Sequence, residues 1–297
     1  MNNSYTDRTE DPICIYEALE VFAEEFAVRN SSDDAQKLVG ISTGFAELDK
    51  LTSGLRPGSL TVIAGRPVMG KSTLALNIAT HVASNEDLPV LMFSMRISAV
   101  HVATRMIRSL GKVSRHTLES AMPNEAERKN VEDAIELLKN VPLMVVETPS
   151  LTVEKIISIT LDCIEFGRMV NLECEKFGLI VIDRLDLIEM NGSDNDYDSV
   201  MSALKKFASE TGTPIILLSG LKPDTGPRED KAPRWDDLPA PAVGNYADVL
   251  FFLHRDNCFK RRSEHEDTAH LLMWRNRFGT RGAVLLNTSE LAFSKFS

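Results

Sequence analysis

The chain has 297 residues, 43% of them hydrophobic and 26% charged, which is enough apolar material for one large domain or two smaller ones. A formal charge of -10 speaks against a general polyanion-binding surface, although it leaves room for a local basic groove. The four cysteines form no CxxC pair, which excludes a zinc ribbon or a disulfide scaffold, and no apolar run approaches the roughly 18 residues of a membrane span. Residues 1–11 are polar and acidic rather than basic then apolar, so a disordered start and a cytoplasmic location without a targeting segment are expected.

In chain order, "DPICIYEALEVFAEEFAVRN" places Ile15, Leu19, Phe22 and Phe26 at helical spacing behind Asp11 and Pro12. The polar "NSSDDAQ" follows, so the apolar stripe of this helix is expected to lie either on the main domain or on another subunit. Residues 1–38 are therefore read as a disordered start plus a linker-type amphipathic helix, and 39–297 as the main domain. From "LTVIAG" onward, apolar β-rich runs recur at "LPVLMFSM", "PLMVVET", "FGLIVIDRL", "TPIILLSG", "DVLFFLHR", "AHLLMWRN" and "AVLLNTS". Runs of this kind alternating with helical stretches predict an α/β fold with a mostly parallel, buried sheet. The last three are not separated by helices, which predicts an antiparallel edge. Two long irregular stretches, "EMNGSDNDYDS" and "LKPDTGPREDKAPRWDDLPAPAVGNYA", follow adjacent strands, and such loops are where ligands lie in open α/β sheets.

The chemistry is concentrated in "GRPVMGKS". Gly65, Arg66, Pro67, Val68, Met69, Gly70, Lys71 and Ser72 fit the phosphate-loop pattern G-x-x-x-x-G-K-[ST] at every fixed position, between a strand and a helix. Its glycines let backbone N–H groups curl round a β-phosphate. Lys71 supplies a point charge to the β and γ oxygens, while Ser72 offers its hydroxyl to Mg²⁺ at the positive end of a helix where Thr73 follows. A second acid is needed beside the metal, and Asp183, at the tip of "FGLIVID", is the candidate. The cofactors expected are ATP and Mg²⁺, with Gly65, Arg66, Pro67, Met69, Gly70, Lys71, Ser72, Thr73 and Asp183 as nucleotide-binding residues and Ser72 and Asp183 as metal ligands.

In order and spacing, these segments resemble the RecA-like ATPase domain of DnaB-type replicative helicases over roughly residues 38–290. The loop is similar to that family's R-P-x-M-G-K-[ST] variant, "VLMFSMRIS" to V-L-x-F-S-L-E-M-S, "LIVIDRLDLI" to L-I-V-I-D-Y-L-Q-L-I and "TPIILLSGLKP" to V-P-V-I-x-L-S-Q-L-N-R. "ADVLFFLHRD" and "RNRFGTRG" resemble the tail segments A-D-V-I-x-F-x-x-R-D and K-Q-R-N-G-P-T-G. The resemblance implies a RecA-like P-loop core that binds ATP and assembles as a hexameric ring on single-stranded DNA. It gives the family's large amino-terminal domain no counterpart here, and likens the helix at 12–30 to the linker helix that docks on a neighbouring subunit. Arg277 falls on the family's arginine finger and Arg275 on its neighbouring Lys, two cations that would reach a partner's phosphates in trans.

The departures are as informative. Arg96 stands where the family has the Glu that polarises the attacking water, and a guanidinium cannot accept a proton. Gly220 replaces the Gln that senses the γ-phosphate, and "DLPAPAVGN" shortens a charged stretch. Asp186 and Glu189 are near the right end of the sheet, but neither matches the family's position for a base. Among DNA-facing loops, "NGSDNDYDS" is acidic, while Lys222, Arg228, Lys231, Arg234 and Trp235 are diluted by Asp224, Glu229 and Asp230. The cluster Lys260, Arg261 and Arg262 reads as a solvated turn, and the histidines show no metal spacing. Three readings stay open. One is a ring-forming helicase motor with impaired hydrolysis. Another is an ATP-binding adaptor, loader or inhibitor that associates with itself, as a ring or filament, or with a true DnaB-type helicase. The third is a recombinase or clock-type relative, which the R-P-x-M variant disfavours.

Overall fold

The structure, a computed structural model, describes residues 38–119, 124–169, 176–190, 196–223, 231–255, 268–288 and 293–295, together with Ile15, Leu19, Glu20 and Ala23. Of the expected first helix, Ile15 and Leu19 are helical and exposed, whereas Phe22 and Phe26 fall outside the described residues. The domain opens with α1 (Ala46–Thr52) and β1 (Leu60–Ala64), followed by α2 (Lys71–Ser84), β2 (Val90–Ser94), α3 (Ala99–Gly111), α4 (Arg115–Glu119), α5 (Glu125–Lys139) and β3 (Leu143–Glu147). Next come β4 (Leu151–Thr152), α6 (Val153–Met169), β5 (Leu179–Asp183), β6 (Ile188–Glu189), α7 (Tyr197–Thr211) and β7 (Ile215–Ser219). The chain continues through α8 (Pro241–Tyr246), β8 (Val249–His254), β9 (Thr268–Asn276), β10 (Ala283–Thr288) and β11 (Phe293–Lys295).

The strands form one nine-stranded sheet in the order β11-β10-β9-β8-β1-β7-β5-β2-β3, and β4 and β6 make a separate two-stranded ribbon. From β8 to β3 all neighbours are parallel, and β9, β10 and β11 continue antiparallel. The expected mixed sheet with an antiparallel carboxyl-terminal edge is therefore present. Strands β1, β2, β5, β7 and β8 are buried at every position, which is why they read as continuous apolar runs rather than alternating ones.

Successive residues of these strands serve opposite faces. Leu60, Val62 and Ala64 join a cluster with Met201, Leu204 and Val243 beneath α7 and α8, while Ile63 joins Leu74, Ile78 and Val82 of α2. Helix ends follow local chemistry. Ser98 caps α3 by accepting from His101 N, Asn124 and Glu127 form a reciprocal capping box at α5, and Gly212 closes α7 in the left-handed region. The second long loop is less irregular than its composition predicts. It contains a 3-10 turn at Trp235–Asp237 and the short α8, which starts on Pro241, where a fixed φ and a missing N–H suit the first helical turn.

Candidate functional site

The carboxyl ends of β1, β7, β5 and β2 lie side by side, so whatever follows each strand meets its neighbours at one edge of the sheet. After β1 comes the glycine loop, after β7 Gly220, at the end of β5 Asp183 and then Arg184, and after β2 Arg96. Between them opens a cleft of about 260 Å³, lined by Pro67, Val68, Gly70, Lys71, Ser72 and Thr73 from the loop and α2. Across it stand Asp183 and Arg184 from the end of β5, Arg96 beyond β2 and Arg105 from α3. An apolar cavity elsewhere, about 10 Å³ in volume near Ile78 and Phe278, is too small for anything larger than a water.

The loop's shape depends on two left-handed residues. Gly70 has φ 97° at the residue before α2, and Val68 has φ 68°, an uncommon conformation for a β-branched residue. Val68 is 84% exposed at the mouth of the cleft, so its side chain gains nothing from packing. Gly65 cannot carry a side chain, because a Cβ there would lie 2.8 Å from Leu253 O. Lys71 is buried and donates from Nζ to Gly65 O at 2.5 Å and to Arg66 O at 2.9 Å, drawing the loop back onto its own ammonium. Burial first, then the Arg184 guanidinium, lowers its pKa to about 8.

Not every residue of the motif faces the cleft. Met69 is buried in the core beneath α2, and Arg66 is buried with Nη2 3.8 Å from Asp237 Oδ2, tying the loop to the 3-10 turn. Gly65 and Arg66 contribute through the carbonyls that hold Lys71. The motif regular expression could not separate side chains that face a ligand from those that anchor the loop, since both occupy "x" positions.

Asp183 is 2% exposed and lines the cleft opposite Ser72. One carboxylate and one hydroxyl are a sufficient donor set for Mg²⁺, which keeps most of its water and takes further oxygens from phosphate. Among the described residues no group of three His, Cys, Asp or Glu side chains could hold a metal on its own. Arg96 lines the cleft on the far side. Of the acids near this end of the sheet, Asp186 accepts from both Arg184 Nε and Nη2. Glu147 accepts from Ala99 N at 2.8 Å at the start of α3, and Glu189 accepts from Ser150 Oγ. Each of these carboxylates thus has at least one donor of its own on one oxygen. Arg184 and Arg105 were invisible to motif reasoning: the first is an ordinary residue after Asp183, the second one arginine of a helix, and only the fold aims them at the loop.

Arg275 and Arg277 are not in the cleft. Leu250 pairs with Arg275 in the β8–β9 register, which sets both arginines at the start of β8, while the glycine loop follows the far end of β1. The separation is a strand length, roughly 15 Å at ~3.3 Å per residue. There Arg277 Nη1 donates to Asp248 Oδ1 at 3.2 Å and Arg275 Nη1 to Gly244 O at 2.9 Å. Asp248 is 2% exposed and also accepts from Lys205 Nζ at 2.7 Å and Leu60 N at 2.9 Å.

In the second loop, Lys222 N donates to Asp237 O at 2.7 Å and Arg234 N to Asp237 Oδ2 at 3.0 Å. The Trp235 ring fills the space a Cβ on Gly244 would need, 2.2 Å away, so it packs inward rather than forming an open stacking platform. Arg228 and the cluster Lys260, Arg261 and Arg262 lie outside the described residues.

A parallel sheet with a glycine loop after β1 and a buried acid two strands away, closed by antiparallel strands, defines a RecA-fold ATPase domain. Residues 40–297 match the DnaB-like helicase C terminal domain family, and the chain belongs to that family. The replicative DNA helicase DnaB of Leifsonia xyli subsp. xyli is 28% identical over 279 residues, covering 92% of this chain and 59% of the relative. That of Geobacillus stearothermophilus is 31% identical over 265 residues, covering 87% and 56%. The chain thus spans less than two thirds of the length of these relatives. Among solved structures, the "ATPase Domain of G40P" superposes with a TM-score of 0.84 at 25% identity, covering 97% of this chain and 100% of that one. A DnaB-like replicative helicase described with its interactions with primase gives 0.83 at 25% identity, covering 97% and 68%. Among the described residues no helix is long and apolar enough to cross a membrane.

Proposed function

We propose that residues 39–297 form an ATP-binding domain of DnaB type that takes up nucleotide with Mg²⁺, assembles with like subunits in DNA replication, and hydrolyses ATP slowly or not at all. The first part rests on one convergence: the backbone of the glycine loop, Lys71, Ser72 and Asp183 surround a single cleft. In this reading Gly70 and its neighbours cradle phosphate with N–H groups, Lys71 exchanges its two carbonyl partners for phosphate oxygens, and Ser72 and Asp183 hold Mg²⁺ through hydroxyl and carboxylate. The ion, when bound, would neutralise charge developing on the phosphates. The second part rests on Arg96. At the position from which a Glu would draw a proton from water, the cleft offers a guanidinium that can only donate.

Arg275 and Arg277 are a strand length from the cleft of their own subunit, so in this reading their contact with phosphate is to a neighbour's site, as ring or filament assembly would require. Residues 1–38 would supply the linker to that neighbour. Single-stranded DNA remains a candidate partner through Lys222, Lys231 and Arg234. The second reading, an adaptor, loader or inhibitor acting on a DnaB-type helicase, is favoured by the same Arg96.

The deciding experiment is single-turnover ATP hydrolysis with and without single-stranded DNA, on the wild type, Lys71→Ala and Arg96→Glu. Binding without turnover, lost in Lys71→Ala and with some hydrolysis gained in Arg96→Glu, is the expected result. Helicase-like turnover by the wild type, abolished in Lys71→Ala, would sink the impaired-hydrolysis reading.

A further inference from the structure

Three positions at which this sequence differs from the family's pattern are far apart or unremarkable in the chain, yet meet in space. In "IDRLDL", Arg184 and Asp186 stand where the resembled pattern has Tyr and Gln, and Gly220, after β7, stands where it has a second Gln. Arg184 grips Asp186 through Nε and Nη2, and a Cβ on Gly220 would lie 3.5 Å from Asp186 Oδ1 and 3.7 Å from Arg184 Nη2. Position 220 is therefore in van der Waals reach of both members of the ion pair. Arg184 also lines the cleft together with Lys71 and Arg96.

We infer that Arg184 is a cis-acting contact for the terminal phosphate of a nucleoside triphosphate, oriented by its pairing with Asp186, and that it makes the cleft prefer triphosphate over diphosphate. The inference deepens the proposed function and rests on its nucleotide-binding part. Three physical points carry it. A planar guanidinium matches the geometry of a phosphate edge, and that match is lost when the phosphate is absent. Asp186 balances Arg184 at close range, so an incoming phosphate oxygen can take over one prong of the fork without leaving a charge uncompensated. Arg184 lines the same cleft as Lys71, so a polyanion bound by that lysine would also meet the guanidinium. Asp186, on this account, is the counter-ion of a binding residue and not a substitute base.

The test is equilibrium titration calorimetry of the full chain with magnesium and either a non-hydrolysable ATP analogue or ADP. The wild type is compared with Arg184→Ala, Arg184→Lys and Asp186→Asn, each checked for folding by circular dichroism. Arg184→Ala should weaken the triphosphate analogue about tenfold and change ADP by less than about twofold. Arg184→Lys should keep part of the preference, because the charge remains and the fork is lost. Asp186→Asn should strengthen the triphosphate a few-fold by releasing Arg184. Equal weakening of both nucleotides in Arg184→Ala, no change in either, or a weaker triphosphate in Asp186→Asn would overturn the inference. Failure of the wild type to bind either nucleotide would instead overturn the proposed function itself, and with it this role for Arg184.

Discussion

The two ends of the central sheet handle charge in opposite ways. At the amino ends of β1 and β8, Asp248 is buried and receives Lys205, Arg277 and the Leu60 N–H, so each ligand of the carboxylate comes from within the chain. At the carboxyl ends, Lys71, Arg96, Arg105 and Arg184 face a cleft shared with Asp183, and among the described residues no carboxylate is paired with Arg96 or Arg105. Lys71 satisfies its ammonium with two carbonyls of its own loop while burial and Arg184 depress its pKa. Charges whose partners all come from within the chain belong to the fold. A set left in excess around a cleft is balanced only by something that enters it, and in a chain of formal charge -10 a concentration of cations at one place is all the more telling.

The sharpest way to break this contrast is at the balanced end. Asp248→Ala would leave Lys205 without its carboxylate and the buried Leu60 N–H without an acceptor. A loss on the order of 3–5 kcal/mol is expected, about 10 °C or more in the thermal unfolding midpoint, read by calorimetry. At the cleft end, Lys71→Ala should leave the midpoint of the empty protein unchanged or raised, because it removes a desolvated charge. The same substitution should weaken ATP roughly 30-fold or more in a binding titration, the worth of about 2–3 kcal/mol of charge-assisted hydrogen bonding. A large loss of stability in this variant would mean that Lys71 holds the loop together rather than waiting for phosphate.

Smaller effects follow from pH. The folded-state pKa of Lys71, about 8, lies below its ordinary value of 10.5, so between these values the unfolded chain binds more protons and stability of the empty protein rises with pH. Phosphate favours the ammonium form, so ATP affinity should fall, by up to about tenfold per pH unit, as pH rises above about 8, and Lys71→Ala should abolish that slope. A wild-type affinity flat from pH 7 to 10 would contradict it. The smallest change expected is in the stability of Arg277→Ala. That side chain is 64% exposed, and Asp248 keeps its other two donors, so the cost should stay under about 1 kcal/mol. Against that near-silent background, any loss of ATP turnover or assembly in Arg277→Ala, measured by sedimentation and hydrolysis, would report a contact made in trans.

Some of this was legible in the residues taken one after another. Uninterrupted apolar runs such as "LTVIA" and "IILLS" belong to strands covered on both faces, and the closely spaced last runs belong to the antiparallel edge, because both patterns are consequences of local period and loop length. The glycine loop was legible for the same reason: its spacing is short-range, and Gly65 and Gly70 are required by backbone conformation within a few residues. Asp183 stood out as an acid ending a buried strand. What the tertiary structure decided is which neighbours those residues acquire. Strand order sets β7 between β1 and β5, which brings Gly220 near Arg184 and Asp186 and makes neighbours of three unrelated-looking residues, of which Arg184 lines the cleft. The same order puts Arg275 and Arg277 at the opposite end of the sheet from the loop their charge suggests, and packing turns Arg66 and Met69 inward from a motif that names only their positions. Local pattern determines elements because it acts over a few residues. Side-chain partnerships across crossover connections are settled by the three-dimensional packing of the whole sheet, which no local spacing encodes.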